Sequence, residues 1–98
     1  MPTLLLEVAA DHPAFSGHFP DDPVLPGVVL LDLAQQAIEV GIGHRLHGLA
    51  TAKFLRPVRP GDALQLTYTP GAEAVTFELR CAGQAVANGR FVIEPVPR

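Results

Sequence analysis

Pro26-Gly27-Val28-Val29-Leu30-Leu31-Asp32-Leu33-Ala34-Gln35-Gln36-Ala37-Ile38-Glu39-Val40-Gly41 is the stretch that decides the architecture. At about 100° per residue, Val29, Leu30, Leu31, Leu33, Ala34, Ala37, Ile38 and Val40 cover a broad apolar arc. Asp32, Gln35, Gln36 and Glu39 share the remaining stripe of roughly 100°. Proline suits the opening turn, where its missing N–H costs nothing. The spacing predicts a helix from about Val28 to Gly41 or a little beyond, stopped by Gly41-Ile42-Gly43. It is long and apolar enough to be the core element.

Upstream, Ala10 to Gly27 carries Pro13, Pro20, Pro23 and Pro26, which exclude regular helix or a central strand. Phe15, Phe19, Val24 and Leu25 interrupt the prolines, so a fixed, buried loop is expected, with His12 on its surface. Leu4 to Val8 suits a short strand. Downstream, Lys53 to Val58 reads as extended, ended by the turn Arg59-Pro60-Gly61-Asp62. Leu64, Leu66 and Tyr68 alternate with polar residues, as do Val75, Phe77, Leu79 and Cys81, which is strand periodicity. That alternation puts Cys81 in the core. Pro70-Gly71 and Ala82-Gly83 mark turns. Gln84 to Ile93 is a last strand, with a bulge expected at Asn88-Gly89. One helix packed on a run of antiparallel strands is an α+β layout, a single domain over residues 1–98.

A chain of 98 residues buries only about 60–65% of the surface that it exposes when unfolded. Its 48% hydrophobic content suggests that some apolar surface goes into a subunit interface. Seven basic against ten acidic side chains leave no broad field for nucleic acid or membrane. The lone Cys81 cannot form an internal disulfide, and no Cys/His spacing suggests zinc. The first residues lack the basic and long apolar runs of a leader or membrane span, so a cytoplasmic protein is expected.

Gly17-His18-Phe19, the proline-rich loop, Pro26-Gly27-Val28, then Asp32 and Gln36 four positions on, form a pattern that resembles the FabZ/FabA-type β-hydroxyacyl-ACP dehydratases. Phe54-Leu55-Arg56-Pro57-Val58-Arg59-Pro60-Gly61-Asp62 matches a second motif of that family. The acid is Asp32, as in FabA-like members, where FabZ-like ones have Glu, and the chain looks shorter ahead of its first strand. The resemblance implies a hot-dog fold, an antiparallel sheet wrapped around the central helix. It also implies a homodimer or larger assembly in which His18 of one protomer faces Asp32 of the other, with a heterodimer with a homologue as a variant. The activity implied is dehydration of a (3R)-3-hydroxyacyl thioester on acyl carrier protein, in fatty-acid-like, polyketide or aryl-polyene biosynthesis.

That reaction needs a base for the C2 proton, an acid for the departing C3 hydroxyl, and donors for the developing enolate. Histidine, with an ordinary pKa of about 6.5, is a competent neutral base, and His18 sits in a proline-stiffened loop. A carboxylic acid on a buried helix, kept protonated by desolvation, delivers the other proton; Asp32 fits. The Gly27 and Val28 amides, at the positive end of the helix, are the expected oxyanion donors. Gln36, one turn after Asp32, is placed to hold the carboxyl or a water. No metal or organic cofactor is required. Lys53, Arg56 and Arg59 form a candidate basic rim for the carrier protein and its phosphopantetheine phosphate, against the plain alternative of solubilising charge.

Asp32 has its own plain alternative, since Gln35, Gln36 and Glu39 read equally as a wet helix face. Gln35 and Glu39 are assigned to solvent or an interface, and His44 and His47 to the helix end. Rival activities are enoyl-CoA hydration at the same residues, a thioesterase, and a non-catalytic partner subunit; retention of His18 and Asp32 argues against the last.

Overall fold

A computed structural model of the chain describes residues 3–8 and 24–93. One helix, α1 (Gly27–Ile42), accompanies five strands: β1 (Thr3–Glu7), β2 (Leu46–Phe54), β3 (Ala63–Pro70), β4 (Ala74–Cys81) and β5 (Gln84–Ile93). The strands form one antiparallel sheet in the order β1-β3-β4-β5-β2. The α+β layout and the helix bounds therefore follow the hydrophobic spacing closely.

The alternating residues do what period two dictates. Leu64, Leu66 and Tyr68 of β3, with Val75, Phe77 and Leu79 of β4, are all buried on the face turned to the helix. Ala87 and Phe91 of β5 join them, and Phe91 stacks on Phe77 with ring centroids 4.8 Å apart. Cys81 continues the row and packs against this core as a free thiol. From the helix only Leu30, Ala34 and Ile38 are buried, a narrower stripe than the sequence arc. Val40, read as part of the apolar face, is 84% exposed, and Val28 is 74% exposed.

The helix ends at Gly43, which takes a left-handed conformation and donates its N–H to the Glu39 carbonyl. Its C-terminal end is also tied to the sheet: the Glu39 carboxylate accepts the Leu46 N–H at 2.8 Å, and Gln35 reaches the same carboxylate at 3.5 Å. Glu39 and Gln35, assigned to solvent or an interface, are thus half-buried at the helix–strand junction of their own chain, because the first amide of β2 needs an acceptor. His44 lies in the junction with Nδ1 on the Arg45 carbonyl, whereas His47 is on β2 and not at the helix end.

Two further expectations are corrected. The extended segment placed at Lys53 to Val58 is a strand that begins seven residues earlier, at Leu46, and leaves the sheet after Phe54. The bulge placed at Asn88-Gly89 lies instead at Val86: Leu79 pairs with Ala87 and Arg80 with Ala85. Gly89 has a different duty. A Cβ there would stand 2.3 Å from the Thr51 carbonyl oxygen and 2.9 Å from the Phe77 ring, so only glycine admits β2 this close to β5.

The β4–β5 hairpin closes through Ala82 and Gly83, both at positive φ (51° and 79°), the two-residue geometry that favours Asn-Gly. Alanine carries a steric cost there. Ala82→Asn is expected to stabilise the fold by about 0.5–1 kcal/mol in urea unfolding; an unchanged midpoint would show that the turn is not strained.

Candidate active site

The entrance to α1 is built from two tied segments. Leu25 donates its N–H to the Val58 carbonyl at 2.8 Å, and Leu55 and Arg56 both donate to the Val86 carbonyl. The chain before the helix is therefore pinned to the segment that leaves β2. Between them lies a cleft of about 430 Å³, with Leu25, Gly27 and Leu30 on one side and residues 54–58 on the other. Its surface is mainly aliphatic and aromatic, with Arg56 as the charged member.

The helix opens on Pro26 (φ −57°, ψ 141°) with no side-chain cap. The Pro26 carbonyl accepts from Val29 at 3.0 Å and Leu30 at 3.1 Å. Among the described residues the Gly27 and Val28 amides have no partner. Two free N–H groups at the positive end of a 16-residue helix, beside an apolar cleft, suit a developing oxyanion. The cleft face of Gly27 has no Cβ to spare: one there would lie 2.7–3.2 Å from the Phe54 ring.

Asp32 is exposed, and its Oδ2 accepts a 2.8 Å hydrogen bond from Gln36 Nε2. It follows the buried Leu30 by two residues, about 200° around the helix, so it faces away from its own core. Val28, Asp32, Gln36 and Val40, spaced by four, make one exposed stripe in which two valines flank the hydrogen-bonded pair. Nothing else in the described chain covers that stripe. A second uncovered apolar surface belongs to β2 and its exit, where Leu49, Phe54 and Leu55 are 43%, 50% and 44% exposed.

His18 lies outside the described residues, as does His12. The three basic candidates are not on one surface. Arg56 lines the cleft, and Arg59 is exposed in the next turn, its backbone N–H on the Asp62 carboxylate at 2.8 Å. Lys53 pairs with Asn88, while its neighbour Phe54 pairs with the buried Ala87, so Lys53 projects from the opposite face of the sheet. Phe54 itself was missed by sequence reasoning. The available signal was a glycine opening a helix and an aromatic ending a strand, which combine only once β2 is known to pass the helix start.

The chain matches a family model described as ApeI-like, ApeI dehydratase, over residues 2–90. It is 36% identical over 110 residues to the 3-hydroxyacyl-[acyl-carrier-protein] dehydratase FabZ of Histophilus somni, covering 90% of this chain and 72% of that one. The Klebsiella pneumoniae protein of the same name is 34% identical, with 89% and 64% covered. Among solved structures, the dehydratase heterocomplex ApeI:P of Xenorhabdus doucetiae aligns with a TM-score of 0.82 at 25% identity, over 95% of this chain and 86% of that one. A protein of Erwinia carotovora subsp. atroseptica aligns with a TM-score of 0.81 at 27% identity, over 96% and 82%.

Proposed function

The chain belongs to the ApeI-like dehydratase family, and from that membership we propose that it removes water from a (3R)-3-hydroxyacyl thioester on acyl carrier protein. The observation that carries the proposal is Asp32, held by Gln36 at 2.8 Å on the helix face turned from the core. A merely solvated face has no need of two valines beside it, and a site shared with a second copy does.

In the proposed reaction the thioester carbonyl binds the Gly27 and Val28 amides. His18 takes the C2 proton, and the released pair forms the C2–C3 double bond. The C3–O bond breaks as the hydroxyl receives the Asp32 proton and leaves as water. His18 then holds one proton more and Asp32 one fewer, and exchange with solvent resets both. The product is the trans-2-enoyl thioester. A cytoplasmic dimer supplies His18 and Asp32 from different protomers, covering the exposed stripe and the unpaired edge of β2. A heterodimer is the second reading, favoured by the similarity to a component of a two-protein dehydratase complex.

Purified protein assayed with hydroxyacyl thioesters on carrier protein, coenzyme A and pantetheine tests the proposal; no turnover by the isolated chain would favour the heterodimer. In the same assay Arg56→Glu, with or without Arg59→Glu, is expected to raise KM severalfold for the carrier-protein substrate, most at low salt, and to spare the pantetheine thioester. Equal loss on both substrates would assign these arginines to the cleft or the fold.

A further inference from the structure

The Phe54 ring is half-exposed, yet it is seated on the backbone of Gly27, at the point where the cleft meets the helix start. Most of the other walls cannot adjust. The Leu25–Val58 and Leu55/Arg56–Val86 backbone bonds fix both banks, Leu25, Leu30 and Val58 are buried, and Pro57 is rigid. Phe54 and Leu55 are the wall side chains that are large, apolar and part-exposed, and of the two Phe54 is the one seated on the helix start. Its backbone is meanwhile held by pairing with Ala87. The width of the cleft where it meets the helix start is therefore set by this ring.

We propose that Phe54 is the specificity-determining residue of the cleft, its ring on Gly27 limiting how much acyl chain is admitted. The proposal rests on the thioester-dehydratase reading above. The lining suits an unbranched or flat hydrocarbon and offers no polar side chain other than Arg56. Removing the ring frees the space of several methylenes, and each methylene newly buried is worth about fourfold in binding.

The test uses the full chain in its native assembly, with 3-hydroxyacyl pantetheine thioesters of even length from butyryl to dodecanoyl. Phe54→Ala is expected to raise the ratio of long-chain to short-chain kcat/KM by about tenfold or more, with Phe54→Leu intermediate. Unreactive saturated acyl-pantetheine amides should show the same shift in binding. An unchanged ratio in a folded variant overturns the proposal, and so does an equal loss at every length, which would mark Phe54 as a support for the fold or the subunit contact. Should Phe54→Ala fail to assemble, Phe54→Leu decides alone by the same ratio. A wild-type chain that binds and dehydrates none of the series would instead sink the functional reading, and this proposal with it.

Discussion

Mixing two inactive variants, His18→Ala and Asp32→Asn, is expected to restore about a quarter of wild-type turnover once subunits exchange. Each variant alone should lose at least ~10²-fold, the usual reach of a positioned acid or base. If His18 and Asp32 meet only across a two-fold interface, each homodimer of a variant has two defective sites. Random reassortment makes half the dimers mixed, and each mixed dimer has one site with both residues intact. The direction in which Asp32 faces, opposite Leu30 and Ala34, gives this expectation a structural motive. Asp32→Glu should keep measurable activity, because it retains the acid and the reach to Gln36. On a wet face both Asp32 changes would be catalytically silent and within about 0.5 kcal/mol of neutral in stability. Failure to recover activity, with exchange confirmed by native mass spectrometry, would place both residues in one chain or remove one of them from the chemistry.

Gly89→Ala is expected to be the most damaging small substitution in the sheet, costing about 3 kcal/mol. The added methyl would stand 2.3 Å from the Thr51 carbonyl oxygen, an atom fixed in the backbone of β2, and 2.9 Å from the Phe77 ring. Neither can yield cheaply. Moving Thr51 breaks the pairing of β2 with β5, and moving Phe77 disturbs its stack on Phe91. In a domain of this size the loss lowers the melting temperature by about 4–8 °C per kcal/mol. Asn88→Ala, one residue away with its side chain on the outer face, should cost under about 1 kcal/mol. Both are to be compared at equal protein concentration, since an assembling chain gains stability by mass action. A Gly89→Ala midpoint within experimental scatter of wild type would mean that β2 can retreat without loss.

The helix and strands β3 and β4 were legible because their apolar residues keep period 3.6 or 2 along the chain, whereas β1 was legible as a short apolar run and β5 from the turn before it. The first seven of the nine residues of β2 were not, and its register explains why. His47 and Ala50 are each an extra residue against β5, since Leu46 pairs with Ile93 but Gly48 with Val92, and Leu49 with Phe91 but Thr51 with Arg90. Each bulge reverses the alternation, so Leu46, Leu49, Ala52 and Phe54 fall on the side of the buried Phe91 and Ala87 at spacings of three, three and two. No fixed period matches that. Conversely, Asn88-Gly89 looked like a bulge because glycine in a strand has two common uses, and only the Thr51 carbonyl distinguishes close approach from bulging. Asp32 and Gln36 were legible as a pair from their spacing. The Phe54–Gly27 contact was not, because it joins residues 27 positions apart through a strand that the hydrophobic pattern conceals.

Those same two bulges bear on how the molecule behaves at high concentration. Among the described residues β2 is an edge strand, nine residues long, enough to template growth if it were straight, and it carries apolar side chains. With interruptions at His47 and Ala50, its regular run is confined to the four residues Thr51 to Phe54. A ladder that short can be satisfied by one neighbouring strand of matching twist but cannot propagate as a flat ribbon. The edge that leaves room for a single partner thereby also discourages fibrillar stacking.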